Sequence, residues 1–359
     1  MSAPLAYAAE KQIAIAAVRR ACVLTASVFN KLVKQETLVK GDKSPVTVGD
    51  YSAQAVVNTI LGRTFPQDPI VGEEDAADLR QESGNTLKDR IVQLANETLN
   101  APLLAGEKEE WGLGPSQGQT AEQLLDAIDR GNYAGGRTGR FWTLDPIDGT
   151  KGFLRGDQYA VCLALIVDAR VELGVMGCPN LPVTASDPSG PRGCLFVAVR
   201  GQGAYQLPLA DPFGALPGTR LQIPPTTPER LNFLESVEEG HAKLSFNDRV
   251  AQILGVTRPP TRMDSQAKYC SLARGDGAVY LRMPVGSGYR EKIWDHASGA
   301  VLVEEAGGII TDGRGEPLDF GLGRTLGENY GVVAAGKDIH AKVIAAVKQA
   351  KAEEESPKL

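Results

Sequence analysis

The sequence has few of the residues that build zinc sites and disulfide frameworks. Among 359 residues there are three histidines, and none has a cysteine or histidine neighbour at metal-ligand spacing. The five cysteines are odd in number and far apart. The sequence therefore argues against a zinc site and predicts reduced thiols rather than disulfides.

Long apolar runs and dense basic stretches are also missing. No segment approaches the ~18 uninterrupted apolar residues of a membrane-spanning helix. Arg19 and Arg20 interrupt the apolar stretch 14–28, and no small-residue cleavage site follows it, which argues against a signal peptide. The net charge is -6 with scattered Lys and Arg, which argues against polymeric nucleic acid as a partner. We expect a monomer that binds neither membranes nor polymeric nucleic acid.

The predicted compartment is the cytoplasm, with the nucleus as an alternative. Pro357-Lys358-Leu359 resembles the S-K-L peroxisomal signal, but Pro replaces Ser.

Hydrophobic periodicity predicts an irregular alternation of helices and strands. The chain from 76 to 140 reads as a mobile, partly helical insertion over the site, and the Pro-rich segment 207–228 reads as a loop. Helices are predicted at 7–34, 50–61, 87–99, 120–130, 266–273, 295–305 and 339–348, and strands at 70–71, 141–144, 159–167, 171–176, 195–199, 278–281 and 309–310.

This alternation predicts an α+β or α/β layered sandwich, in which layers of helices and sheets are stacked. We divide the chain into an N-terminal α+β subdomain at 1–178, which includes the insertion 76–140, a C-terminal α/β subdomain at 179–350, and a flexible charged tail at 351–359.

Several acidic residues lie at the boundaries of predicted helices and strands. Because the ends of elements can converge in space, we expect these side chains to meet. Oxygen ligands without His or Cys are the set that Mg²⁺ prefers. The residues are Asp50 before a helix, Glu73 and Glu74 after a strand, Asp145 and Asp148 after a strand, and Asp295 before a helix.

The most informative string is Asp-Pro-Ile-Asp-Gly-Thr at 145–150. Pro146 fixes the backbone so that Asp145 and Asp148 can point to one cluster. Gly149 lets a phosphate approach the main chain, and Thr150 supplies a hydroxyl; N–H groups of a following helical turn would hold a phosphate oxygen. Taken alone, the string is equally consistent with a simple Asp-rich turn.

Together with its neighbours, the string resembles the lithium-sensitive, magnesium-dependent phosphatase superfamily of inositol monophosphatases and fructose-1,6-bisphosphatases. Within that superfamily the sequence is most similar to the 3′(2′),5′-bisphosphate nucleotidases, over nearly the whole chain. The matching segments are T-V-G-D at 47–50, G-E-E at 72–74, L-D-P-I-D-G-T-K-G-F-L-R-G at 144–156, Q-Y-A-V at 158–161, S-V-E-E-G-H at 236–241, D-S-Q-A-K-Y at 264–269 and E-K-I-W-D-H at 291–296.

The resemblance implies roles for individual residues. Asp50 would pair with Thr150 to activate the attacking water, and Glu74 would support them. Roughly two or three Mg²⁺ ions would take part in an in-line displacement without a phosphoenzyme. The implied metal ligands are the side chains of Glu73, Asp145, Asp148 and Asp295 and the carbonyl of Ile147.

The second half of the chain is expected to recognise the nucleoside and its other phosphate. The resemblance implies contacts from Ser265, Lys268 and Arg282 to the 5′-phosphate or adenosine, with His241 near the base or ribose. A phosphate that is not cleaved needs fixed positive charge, which Lys268 and Arg282 can provide. Taken alone, each is an ordinary surface cation and His241 an ordinary loop residue. Lys151 and Arg155 are further basic candidates.

The predicted substrate is 3′-phosphoadenosine 5′-phosphate, with its 5′-phosphosulfate analogue as a second substrate and a role in sulfate assimilation. An inositol polyphosphate 1-phosphatase or inositol monophosphatase shares the metal motifs, but D-S-Q-A-K-Y and T-K-G-F-L-R-G favour the nucleotidase. A non-catalytic nucleotide-binding or ion-sensing protein is a third interpretation, which the complete set of metal carboxylates disfavours.

Overall fold

A computed structural model describes residues 6–30, 45–81, 85–214, 218–237, 243–286 and 288–355. The helices are α1 (Ala8–Val28), α2 (Pro45–Thr64), α3 (Asn85–Leu99), α4 (Ala121–Asp129), α5 (Thr150–Arg155), α6 (Leu244–Ile253), α7 (Ala267–Arg274), α8 (Ala297–Glu305) and α9 (His340–Glu355). The strands are β1 (Ile70–Gly72), β2 (Arg140–Asp148), β3 (Ala160–Val167), β4 (Arg170–Pro182), β5 (Arg192–Val199), β6 (Gly203–Pro208), β7 (Thr219–Leu221), β8 (Phe233–Glu235), β9 (Thr261–Arg262), β10 (Val279–Arg282), β11 (Gly308–Asp312) and β12 (Val332–Gly336).

Two sheets organise these elements. The first has the order β1-β2-β3-β4-β5-β6-β7, and the second has the order β11-β12-β10-β8-β9. In the first sheet β1 and β2 run parallel, and each later neighbour is antiparallel. The local β-branched and aromatic runs that predicted β2 to β5 therefore pair in chain order.

Alternating side chains of the strands enter different cores, as the period-2 geometry of a strand requires. Leu163 and Leu165 of β3 pack with α1 to α4, whereas Ala164 and Ile166 pack with α7, α8 and one face of the second sheet. The other face of the second sheet packs with α6 and α9. The stacking of helix, sheet, helix, sheet and helix layers confirms the predicted layered fold.

Helix α2 begins earlier than its apolar pattern suggested. It starts at Pro45, a residue whose fixed φ suits the first helical turn. Asp50 therefore lies inside the helix, and its predicted place before the helix was wrong. Residues 31–34 of the predicted first helix lie outside the described residues.

The segment 76–140 forms part of the N-terminal helical layer. Its helices α3 and α4 pack against α2, and Leu94 and Leu124 are buried in the same core as α1. Its described residues do not line the large cavity described below. Its predicted place over the site and its mobility stay predictions.

The proposed division of the chain stays a prediction. Position 178 lies within β4, and the first sheet continues to Leu221. The loop predicted at 207–228 contains β7, because Thr219–Leu221 pairs with β6. Helix α9 extends into the predicted tail as far as Glu355. Its residue Glu353 forms an ion pair with Arg249. Residues 356–359 lie outside the described residues.

Among the described helices, none combines the length and apolarity needed to cross a bilayer.

Gly299 marks the closest contact between α7 and α8. A Cβ atom at this position would lie 2.1 Å from Cδ2 of the buried Tyr269 ring. We expect Gly299→Ala to lower the free energy of unfolding by about 1–3 kcal/mol, because overpacking outweighs the better helix propensity of Ala. Urea unfolding measures the change. Gly286→Ala is the control, since nothing lies within 4 Å of its added Cβ; equal stability of both variants would contradict the packing argument.

Candidate active site

The carboxylates predicted as metal ligands meet in one cavity of about 470 Å³. Strand β1 leads directly into Glu73, and its parallel pairing of Gly72 with Leu144 sets Glu73 beside Asp145. Asp148 ends β2, and Asp295 precedes α8. All four residues line the cavity, together with Ile147. Their roles as ligands stay predictions.

A β-bulge brings Asp145 and Asp148 to the same place. Asp145 pairs with Cys162 of β3, but Asp148 pairs with Ala160, so β2 carries one extra residue between them. A bulge bends its strand and redirects side chains, and bulges are frequent beside active sites. Pro146 within this segment is compatible with the lost ladder hydrogen bond.

The carboxylates raise one another's pKa values. Desolvation by the surrounding protein is the largest cause of the rise in the pKa of Glu73 to about 8, followed by the charges of Asp295 and Glu74. The Glu73 side chain nevertheless remains open to the cavity. Burial and then Asp295 raise the pKa of Asp148 to about 6. Burial and then Glu73 raise the pKa of Asp145 well above its ordinary value. The cluster therefore requires protons or bound cations.

The donor atoms fit a hard divalent cation. Asp145 Oδ1 is buried and has no hydrogen-bond partner among the described residues, a costly arrangement for a carboxylate oxygen. A cation would satisfy that oxygen, and carboxylates with a backbone carbonyl form the all-oxygen set that suits Mg²⁺. The residues present therefore fit the predicted metal.

A second group of three ligand atoms, from Glu291, Asp295 and His296, lies within 4.8 Å. Its histidine is already engaged, because Nδ1 lies 2.7 Å from the Tyr269 hydroxyl and Nε2 lies 3.0 Å from Glu291. Although burial acts in the opposite direction, the hydrogen bond with His296 and the charge of Arg282 lower the pKa of Glu291 to about 2. We therefore interpret Glu291 and His296 as partners of an ion-pair network.

Asp50 and Glu74 lie beside the carboxylate cluster. Burial raises the pKa of Asp50 well above its ordinary value, and the charges of Glu74 and Glu73 add to the effect. Glu74 is held through its backbone, because its N–H donates to Gln54 and its carbonyl accepts from the same side chain. Thr150 is exposed at the start of α5, which packs against α2. Pairing of Asp50 with Thr150 stays a prediction.

Gly149 and Ser265 approach each other at the cavity wall. Gly149 adopts a φ of 90°, and a Cβ atom there would lie 2.9 Å from Ser265 Cβ. Ser265 itself has a φ of 66°, which is uncommon for a residue other than glycine. The close approach therefore requires glycine at position 149.

The predicted cations line the same cavity as the carboxylates. Lys268 Nζ donates to the carbonyls of Met263 at 3.1 Å and Ser265 at 2.9 Å, and burial lowers its pKa to about 8. Arg282 pairs with Glu291 at 2.9 Å and with Asp295 at 3.3 Å. His241 lies outside the described residues. Lys151 lines the cavity, whereas Arg155 pairs with Asp264, itself a lining residue.

Several residues of the site escaped the sequence analysis. The Gln266 N–H donates to Asp148, and its side chain joins the Trp294 carbonyl at 2.8 Å to the Ser298 hydroxyl at 2.8 Å. Only its position within D-S-Q-A-K-Y could have indicated it. Val285 and Tyr289 line the cavity mouth and are each about half exposed, at 52% and 51%. No spacing pattern marked either of them.

Comparisons with known proteins agree with this geometry. A sequence profile described as the inositol monophosphatase family matches residues 6–352. The chain is 50% identical over 347 residues to a 3′(2′),5′-bisphosphate nucleotidase of Schizosaccharomyces pombe, covering 95% of this chain and 96% of that protein. It is 43% identical to 3′(2′),5′-bisphosphate nucleotidase 1 of Arabidopsis thaliana, over 98% and 99% of the two chains.

Solved structures share the fold. An inositol monophosphatase from Zymomonas mobilis matches with a TM-score of 0.59 at 19% identity, covering 96% of this chain and 100% of that one. CysQ from Bacteroides thetaiotaomicron, a bacterial member of the inositol monophosphatase family, matches with a TM-score of 0.58 at 20% identity, over 93% and 100%. At these identities the likeness concerns the fold alone.

The raised pKa values predict a pH-dependent stability of the metal-free protein. A carboxylate whose pKa is higher in the folded state stabilises the fold below its unfolded value near 4, and this stabilisation is lost as pH rises through the folded value. With Glu73 near 8 and Asp148 near 6, we expect stability in EDTA to fall between about pH 4 and pH 8. Chemical unfolding across this range measures it.

Neutralising one carboxylate of the cluster should reduce this loss of stability at high pH. We expect Asp145→Asn to be more stable than the wild type at pH 8 in EDTA, by roughly 1 kcal/mol after allowance for solvent in the cavity. The variant should also lose most of the stabilisation that added Mg²⁺ gives the wild type. Asp89→Asn, at an exposed position on α3, serves as the control. A metal-free D145N no more stable than D89N would show that the carboxylates do not repel one another.

Proposed function

Because the chain belongs to the inositol monophosphatase family, we propose that it is a magnesium-dependent phosphatase that removes the 3′-phosphate of 3′-phosphoadenosine 5′-phosphate. One observation carries the proposal: an all-oxygen carboxylate cluster and two buried or half-buried cations, Lys268 and Arg282, line the same cavity. A bisphosphate substrate needs a metal-binding cluster for one phosphate and positively charged side chains for the other. The names of relatives at 41–50% identity support a nucleotide substrate.

The carboxylate end of the cavity would hold the metal. Ile147 would add its backbone carbonyl to four side chains. When bound, Mg²⁺ supplies charge neutralisation to the phosphate and acidifies a water molecule, and families of this chemistry use roughly two or three ions. The proposed side-chain ligands are Glu73, Asp145, Asp148 and Asp295.

Asp50 and Thr150 would handle the proton of the attacking water. Burial is the largest cause of the raised pKa of Asp50, and a raised pKa makes a carboxylate a better proton acceptor. The Thr150 hydroxyl would orient the water. It would accept a proton from the water and donate its own proton to an Asp50 oxygen, while Glu74 supports the position of both residues. The water oxygen bonds to phosphorus, the bond from phosphorus to the ribose 3′-oxygen breaks, and that oxygen takes a proton from a water molecule, while the proton held by Asp50 returns to solvent.

The cation end would hold the phosphate that does not react. Hydrogen bonds to two backbone carbonyls fix the orientation of the Lys268 ammonium group. Ion pairs with acidic side chains fix the position of Arg282. Ser265 would contact the same phosphate and Gly149 the reacting one. His241, by resemblance, would lie near the base or ribose. The proposal extends to the 5′-phosphosulfate analogue, to lithium inhibition and to a cytoplasmic role in sulfate assimilation.

A substrate panel tests the assignment. We expect phosphate release from 3′-phosphoadenosine 5′-phosphate to exceed release from inositol 1-phosphate and inositol 1,4-bisphosphate by at least about tenfold in kcat/KM, because neither inositol substrate offers a nucleoside and inositol 1-phosphate also leaves the two cations without a second phosphate. EDTA should abolish release, and Mg²⁺ should restore it. A preference for inositol phosphates would overturn the nucleotide assignment, and binding without turnover would favour a sensing protein.

Removal of Lys268 tests recognition of the second phosphate. We expect Lys268→Gln to lower kcat/KM for 3′-phosphoadenosine 5′-phosphate by roughly 10- to 100-fold, the size expected for a hydrogen bond to a charged group. The same variant should act nearly normally on adenosine 3′-phosphate, which lacks the 5′-phosphate. Equal losses on both substrates would show that Lys268 does not recognise the second phosphate.

A further inference from the structure

Arg324 connects the two parts of the chain that supply opposite sides of the carboxylate cluster. Its backbone carbonyl accepts a hydrogen bond from the Ile293 N–H at 3.2 Å, and the Leu326 N–H donates to the Glu291 carbonyl at 2.8 Å. The segment around Arg324 is thus joined by main-chain hydrogen bonds to the segment that leads to Asp295.

The Arg324 guanidinium reaches in the other direction. Its Nη1 donates to the carbonyls of Gly131 at 2.9 Å and Tyr133 at 3.1 Å, and its Nη2 donates to the carbonyl of Gly72. The same group lies 4.9 Å from the ring centroid of Trp294. Among the described residues, Arg324 makes no ion pair within 4.0 Å. Its geometry is therefore set by carbonyls and by one aromatic face.

Two of these contacts fall on residues that immediately precede proposed metal ligands. Gly72 is followed by Glu73, and Trp294 is followed by Asp295. The charge of Asp295 is the largest carboxylate influence on Glu73, so the two side chains repel each other when no cation is present. A planar group with a rigid fork of donors can fix two backbones at a set separation against that repulsion.

We infer that Arg324 is a positioning residue that fixes the separation of Glu73 and Asp295 and thereby makes the cluster competent to bind divalent cations. The inference rests on the proposed function, because it assumes that these carboxylates bind metal. Arg324 does not line the cavity; it acts through the Gly72 carbonyl on one side and through the Trp294 ring and the Ile293 N–H on the other. Contacts that support a ligand from behind commonly change metal affinity by about 10- to 100-fold when removed.

Arg324→Lys is the informative variant because it keeps the positive charge. An ammonium group cannot span three carbonyls and also stack on an indole ring, so the separation of the ligands would be less well defined. Mn²⁺ alone is the probe, and its binding to the substrate-free protein is measured from the electron paramagnetic resonance signal of free Mn²⁺. We expect R324K to weaken Mn²⁺ binding by about tenfold.

Arg274→Lys is the matched control. Arg274 also donates to two carbonyls, Pro182 at 2.8 Å and Val183 at 3.2 Å, and lies 6.0 Å from the Phe196 ring centroid, but none of these partners adjoins a proposed metal ligand. We expect R274K to bind Mn²⁺ as the wild type does, even if it lowers the unfolding midpoint. Equal weakening in both variants would assign Arg324 a general structural role and overturn the inference.

Arg324→Met separates position from charge. If Arg324 acted on the cluster by its charge alone, R324K would bind Mn²⁺ normally and R324M would bind it more tightly, since a repelling cation is removed; that result also overturns the inference. If R324M does not fold, R324K and R324Q carry the same comparison. Absence of Mn²⁺ binding in the wild type would instead refute the proposed function.

Discussion

Four carboxylates lie in one cavity and repel one another, and the contacts around them must hold them in place against this repulsion. Glu73, Asp145, Asp148 and Asp295 come from separate stretches of chain, with Asp295 more than two hundred residues after Glu73, and each has a raised pKa. Such a cluster is unfavourable in the folded protein unless protons or cations compensate it. The β-bulge in β2 and the parallel pairing of β1 with β2 determine the positions of the carboxylates in the first sheet.

Acidic and basic side chains from different layers line the cavity. The first sheet supplies Glu73, Asp145 and Asp148, whereas the second sheet and the helices beside it supply Lys268 and Arg282. Arg282 pairs with Asp295 within the cavity, and Arg324 donates to the Gly72 carbonyl outside it. The fold thereby places carboxylates and cations in one cavity, the arrangement that the proposed bisphosphate substrate requires.

Local sequence patterns predicted the elements that bury a regular apolar face. Strands β1 to β5 were found because their β-branched and aromatic runs end at Gly, Pro or Asp, and the string from Asp145 to Thr150 indicated where the carboxylates would meet. Contacts without a local pattern were not predictable. Gln266 and Arg324 bind backbone carbonyls far away in the sequence, and any residue type offers such a carbonyl. Asp50 was misplaced because the apolar pattern marks the interior of α2, not its first turn.

The most direct test of the central claim is the position of Mn²⁺ in crystals of the substrate-free protein, determined from anomalous scattering at the manganese absorption edge. We expect peaks within coordination distance of oxygens of Glu73, Asp145, Asp148 and Asp295, and of the Ile147 carbonyl. Peaks confined to Glu291 and His296, or to acidic side chains on the outer surface, would contradict it.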